Sequence, residues 1–177
     1  MIVKSFEIKK KITSKNKFIL LHGNNSGLIE DTIQIELKAL LPQKIYNYEE
    51  NEILNNSENF KEEILNKSFF EKEKLIIISR VSEKIFNLIQ DIVEKDIDDV
   101  SIILKSSLLE KKSKLRNFFE KEKSTVCIAF YEDNNQTLNL IAKKFLRDRN
   151  INISQQNLNF IIDRCKGDRI NLKNELF

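Results

Sequence analysis

A chain of 177 residues with 41 % apolar and 32 % charged side chains can build a core, and its three glycines and one proline argue against a turn-rich β-sandwich or a collagen-like or linker sequence. The net charge of +3 lies wholly in residues 133–177, with 8 basic against 5 acidic residues, while residues 1–132 balance 22 against 22; a protein held to nucleic acid by counterion release usually carries a larger excess. No apolar run nears the ~20 residues that span a bilayer, the first residues lack a signal-peptide core, and Cys127 and Cys165 are too few for a disulfide framework or a four-cysteine zinc site, so a cytoplasmic chain with no membrane partner is expected.

Five short apolar runs predict strands: 17–22 (KFILLH), 44–48 (KIYNY), 75–79 (LIIIS), 100–104 (VSIIL) and 125–130 (TVCIAF). Four of them are continuous rather than alternating, which suits strands covered on both faces. Helical spacing fills the gaps. Residues 28–41 place Leu28, Ile29, Ile33, Leu37, Leu40 and Leu41 on one stripe, and Pro42 stops that helix. Residues 57–70 gather Phe60, Ile64 and Leu65. Residues 82–95 gather Ile85, Phe86, Leu88, Ile89, Ile92 and Val93, with Ser82 as the N-cap. Residues 107–123 gather Leu108, Leu109, Leu115, Phe118 and Phe119. Strand and helix thus alternate five times, the order of a parallel sheet with helices on both faces.

The pattern changes after Tyr131. A polar break at 132–136 (EDNNQ) precedes helical spacing over 137–147, 154–166 and 168–177, with Ser154 as a cap and Gly167 as a stop. The division expected is an α/β domain over 1–132 and the start of a helical domain over 133–177. The last helical pattern runs to the end of the sequence, as a truncated product would.

The first strand ends in His22-Gly23-Asn24-Asn25-Ser26-Gly27 and a helix follows, the layout of a phosphate-binding loop. The working motif, G-x-x-x-x-G-K-[ST], fails here. The glycines are one residue too close, and Leu28-Ile29 stands where a lysine and a hydroxyl residue would meet phosphate and magnesium. The run at 75–78 ends in Ser79-Arg80, without the acid that would hold the metal. The chain therefore reads as lacking ATPase chemistry, with no cofactor, no metal and no catalytic residue assigned, and Gly23–Gly27 as a tight strand-to-helix turn. His22, the single histidine, has no cluster of acids or thiols around it and reads as structural; Cys127 and Cys165 read as core, and Asp96, Asp98 and Asp99 as a solvated turn.

Two further features can carry binding. Phe69-Phe70, preceded by Ser68, closes a helix ahead of the charged run Glu71-Lys72-Glu73-Lys74. Adjacent helical side chains diverge by about 100°, so the rings either present an exposed anchor ringed by charge or cap the apolar layer of the sheet. Residues 105–123 hold seven basic and three acidic side chains, with Lys111, Lys112, Lys114 and Arg116 clustered at a helix start. They read either as phosphate contacts for DNA or as a solvated helix face.

Six segments carry a resemblance: FILLHG at 18–23, LIED at 28–31, KSFFEKEKLIII at 67–78, LLEKKSKLRNF at 108–118, YEDNNQTLNLIAKK at 131–144 and CKGDRINLKNEL at 165–176. In order and spacing the chain resembles the delta subunit of the bacterial DNA polymerase III clamp loader. The resemblance implies an α/β, AAA+-like (RecA-type) parallel sheet with helices on both faces, then a small helical lid domain, truncated before the family's third, collar domain. It implies a subunit that binds no ATP and is non-catalytic by itself, within a DNA-directed DNA polymerase holoenzyme (a nucleotidyltransferase). Such a subunit grips the β sliding clamp and opens its ring for loading onto primed DNA. Its other partners are the remaining clamp-loader subunits, which the collar domain joins. By position, the family's clamp-binding wedge falls on Ser68, Phe69 and Phe70; Lys67 stands where a relative has Met, and the first anchor is Phe rather than Leu. The alternative is a nucleic-acid-binding module built on the basic helix 105–123.

Overall fold

The computed structural model describes residues 1–42, 44–65, 73–95, 97 and 99–176. Six parallel strands form one sheet: β1 (Ile2–Lys4), β2 (Phe18–Gly23), β3 (Ile45–Glu49), β4 (Lys74–Val81), β5 (Val100–Ser106) and β6 (Thr125–Phe130). Their spatial order is β1-β6-β2-β5-β4-β3. The chain leaves β2 toward one edge, returns through β4 and β5, then crosses β2 to place β6 on its other side. The carboxyl end of β2 is therefore the point where the direction of winding switches, the usual place for a ligand in an open α/β sheet.

Period-two geometry sends successive strand residues to opposite faces. Phe18 and Leu20 of β2 join Ile76 and Ile78 of β4 in one apolar layer. Ile19 and Leu21 join Leu75 and Ile77 in the other. The first layer is covered by α3 (Glu50–Asn55), α4 (Ser57–Leu65), α5 (Phe86–Glu94) and α6 (Lys114–Lys121). The second is covered by α1 (Ile8–Lys11), α2 (Ser26–Thr32) and a π-helical turn over Ile33–Leu37, where the Lys38 N–H reaches back to the Ile33 carbonyl at 2.9 Å. A third apolar cluster, built on Leu138, Ala142, Leu158, Ile162 and Leu172, joins α7 (Asn135–Asp148), α8 (Gln155–Cys165) and α9 (Arg169–Leu176). Among the described residues no helix is long and apolar enough to cross a membrane.

The five expected strands are present, and several expectations are corrected. A sixth strand, β1, pairs with β6 at the sheet edge and buries only Val3, too little to mark an apolar run in the sequence. Helix α3 was absent from the expected pattern; it starts from a reciprocal cap in which the Glu49 N–H donates to Glu52 Oε2 at 2.7 Å. The stripe expected over 28–41 begins earlier, at Ser26, and leaves Leu40 exposed. The helix expected over 107–123 forms only from Lys114. Ser113 Oγ accepts from the Arg116 N–H at 3.0 Å, and Glu83 Oε2 accepts from the N–H groups of Lys114 and Leu115, so the helix is capped there from two sides. Residues 107–113 are a loop, and Leu108 is 51 % exposed.

Candidate functional site

At the end of β2 the backbone of Gly23 has φ +143°, and a Cβ there would lie 1.9 Å from the Phe130 carbonyl oxygen on β6. Only glycine fits this approach. Asn25 follows, buried, and its side chain organises the turn. Oδ1 accepts from the Leu28 N–H at 3.0 Å and caps α2, while Nδ2 donates to the Tyr131 carbonyl and to Asp133 Oδ2, both at 3.0 Å. The phosphate-loop layout is thus present as geometry, held by the Asn25 side-chain amide.

A cavity of about 780 Å³ opens at the carboxyl ends of β2, β4 and β5, between Gly23, Ser26, Ser79, Lys105, Ser106 and Ile170. Its cations are engaged. Lys105 Nζ lies 3.3 Å from Glu30 Oε2, and Arg80 Nη1 lies 3.0 Å from Glu49 Oε2. Arg80 takes a left-handed backbone at φ 58° where β4 loses register with β5. Two nearby hydroxyls are also committed, Ser106 Oγ to the Val81 carbonyl at 2.7 Å and Ser82 Oγ to Glu50 Oε2 at 2.8 Å. Ile29 turns into the core and Leu28 packs against it, so no cation stands on the first turn of α2. The arrangement offers a concave surface, mostly apolar in area, without a nucleophile–base pair among the described residues.

His22 lies beneath this surface, 1 % exposed. Burial, together with the Arg116 charge, pushes its pKa down to about 4. The neutral ring accepts the Leu109 N–H at Nδ1 across 3.5 Å. Arg116 donates to the Leu109 carbonyl at 2.9 Å and to Glu120 Oε1 at 2.7 Å; the Glu120 hydrogen bond outweighs burial and raises the pKa of the guanidinium. Its charge is thus spent on pinning the 107–113 loop rather than offered to solvent. Lys111, Lys112 and Lys114 are exposed. Lys112 pairs with Glu110 at 2.8 Å, and Lys112 and Lys114 line a groove of about 490 Å³ beside Phe118 and Lys121. Ser68, Phe69 and Phe70 lie outside the described residues, as do Asp96 and Asp98. Cys127 and Cys165 are buried.

One polar cluster has no local signature along the chain. Arg169, at the start of α9, donates from Nε to Asp133 Oδ2 and from Nη2 to Asp133 Oδ1, both at 2.8 Å, and from Nη1 to Asp31 Oδ2 at 3.4 Å. Lys173 also pairs with Asp31. Burial opposes the Arg169 charge, but the Asp133 and Asp31 carboxylates outweigh it and raise its pKa above the usual arginine value. The five residues, Asn25, Asp31, Asp133, Arg169 and Lys173, come from three separate stretches of chain. A local motif search has no access to such a cluster.

No family model matches the chain, and no curated protein matches it in sequence. Solved structures do match. The DNA clamp loader delta protein of Bacillus subtilis superposes with a TM-score of 0.58 at 12 % identity, over 97 % of this chain and 54 % of that one. Domain III of the Thermotoga maritima replication initiation protein DnaA gives 0.54 at 15 % identity, over 96 % and 77 %. The Thermotoga maritima RuvB Holliday junction branch migration motor gives 0.59 at 13 % identity, over 89 % and 52 %. The chain therefore spans about half the length of the delta protein and of RuvB, and it has their AAA+-like fold, a RecA-type parallel sheet with helices on both faces followed by a small helical lid.

Proposed function

We propose that the chain is a replication adaptor of the clamp-loader delta type, which grips a β sliding clamp and opens its ring for loading onto primed DNA. The observation that carries this reading is the cation-free first turn of α2. An AAA+-like scaffold with Leu28-Ile29 at that turn is suited to binding a partner rather than to turning over nucleotide. Added support comes from the segments 67–78, 131–144 and 165–176, which resemble that family, and from the likeness in fold to the delta protein over 97 % of the chain. Residues 1–132 act as the scaffold domain and residues 133–177 as the lid, in company with other loader subunits. The wedge is Ser68-Phe69-Phe70, with Phe70 inserted into the clamp and Phe69 packed beside it.

The test is a titration of the chain against its own sliding clamp. Phe69→Ala with Phe70→Ala is expected to abolish capture while circular dichroism stays unchanged. Burial of two rings contributes roughly 3–6 kcal/mol before association entropy is subtracted. Unchanged affinity of the double variant removes the wedge. A second reading is favoured by the exposed Lys111, Lys112 and Lys114, the last two lining a groove edged by Phe118. Here the surface contacts the phosphates of primed DNA, with or without the clamp. Arg116, spent on Leu109 and Glu120, is left out of that surface.

A further inference from the structure

The Asp133 carboxylate is an internal anion. It is 6 % exposed, and both its oxygens are occupied by donors that converge from different elements. Asn25 Nδ2 comes from the phosphate-loop turn; Arg169 Nε and Nη2 come from α9. A planar guanidinium fork and a carboxamide aimed at one point is the donor set that binds a carboxylate or phosphate ligand. Here the chain supplies the anion itself. Around it, the Asp133 N–H donates to the Gly167 carbonyl at 3.2 Å, and Arg169 reaches on to Asp31 of α2, which Lys173 also holds. Close packing completes the contact: a Cβ on Gly27 would stand 3.0 Å from Ile170 Cγ1 and 3.2 Å from Arg169 Cβ.

We propose that Arg169 is a positioning residue and Asp133 its built-in counter-anion. Together they latch the α7–α9 lid onto the phosphate-loop turn, so that lid orientation is set by the chain's own carboxylates and needs no bound phosphate. The lid has its own apolar cluster, built mainly on α7 and α8, so those two helices stay formed when the latch opens; what is lost is the seating of the short α9 against α2 and Gly27, and with it the protection of the α9 amides. Desolvated pairs of this kind cost most when one partner is deleted and the other is left buried and uncompensated. A partner that swings the lid must therefore break the latch or supply an anion of its own. This inference stands on the latch geometry and does not depend on the clamp.

The experiment is amide hydrogen exchange on the whole chain, comparing α9 and the 131–134 segment with β2 and β5. Asp133→Ala is expected to reduce protection in α9 roughly 100-fold while the sheet amides keep theirs. Sodium formate at 100 mM is then expected to restore at least a tenth of the lost protection by occupying the vacated carboxylate position. Sodium chloride at the same ionic strength is expected to restore none. Asp31→Asn, at the rim, is a second variant, with an expected loss of about 10-fold confined to α9. Unchanged α9 protection in either variant, or an equal loss across β2 and β5, overturns the latch. Loss that formate fails to reverse overturns the internal-anion assignment. If Asp133→Ala does not fold, the Asp31→Asn result decides alone.

Discussion

Replacing Gly23 by alanine is expected to destabilise the chain by about 4 kcal/mol, and the figure follows from two local facts. The residue sits at φ +143°, a conformation essentially closed to side chains, which costs on the order of 1–3 kcal/mol. The new methyl would also lie 1.9 Å from the Phe130 carbonyl oxygen and 2.8 Å from its carbon. Because Gly23 pairs with Phe130 in the sheet, the end of β2 must move away from β6 by more than about 1 Å, with an overpacking cost of roughly 1–3 kcal/mol. The total is a large share of the ~5–15 kcal/mol that holds a domain folded. Urea unfolding followed by far-ultraviolet circular dichroism should show a lower midpoint at an unchanged slope, and the melting temperature should fall by roughly 8–16 °C. Gly27→Ala is the internal control. Its closest obstacles are Ile170 Cγ1 at 3.0 Å, Arg169 Cβ at 3.2 Å and the Ile170 backbone nitrogen at 3.3 Å, so α9 has to give by a few tenths of an ångström, while alanine gains up to about 1 kcal/mol of helix propensity; the net change should stay well below that at Gly23. Equal effects at the two glycines, or a Gly23→Ala change below about 1 kcal/mol, would refute the reasoning.

His22 makes stability depend on pH. The folded chain holds the ring neutral down to about pH 4, whereas the unfolded chain protonates it near 6.5, so between those values the unfolded state binds the extra proton. The contribution is complete above about pH 6.5 and falls away toward pH 4 by roughly 3 kcal/mol; His22→Gln should flatten that part of the stability profile, and a profile identical to wild type would count against it. Burial pushes the Cys127 thiol up to about 12 and raises that of Cys165. A thiol reagent at pH 8 should therefore label neither residue promptly in the folded chain and both in denaturant; prompt labelling of the folded chain would contradict the buried placement. For the DNA-contact reading, Lys111→Ala, Lys112→Ala and Lys114→Ala together should reduce the slope of log K against log salt by roughly 2–3 on primed DNA, and an unchanged slope removes those contacts.

The central strands were legible because β2, β4, β5 and β6 are buried on both faces, which forces continuous apolar runs whatever the neighbours. Edge strand β1 escaped because one buried residue, Val3, is enough to hold it. The strand-to-helix turn at Gly23–Gly27 was equally plain, since a glycine stands where β2 ends and the polar residues that follow can cap a helix. The basic segment misled, because its apolar spacing continues through Leu108 and Leu109 while the Leu109 N–H and carbonyl are taken by His22 and Arg116. Those partners are 87 and 7 residues away, and the first distance is invisible to any periodicity. The latch was hidden for the same reason. Asp31, Asp133 and Arg169 are each ordinary surface-type residues in sequence, and only the crossing of α9 over α2 brings them together.

The pairing of β1 with β6, Ile2 against Cys127, has a consequence for biosynthesis. Strand β1 is made before the other strands described and finds its place late, since its partner β6 is made about 120 residues later. Until then β2 also lacks both of its flanking strands, β5 and β6. Nascent chains must therefore carry unpaired apolar strands through most of translation, the situation in which slow, non-local assembly invites chaperone capture.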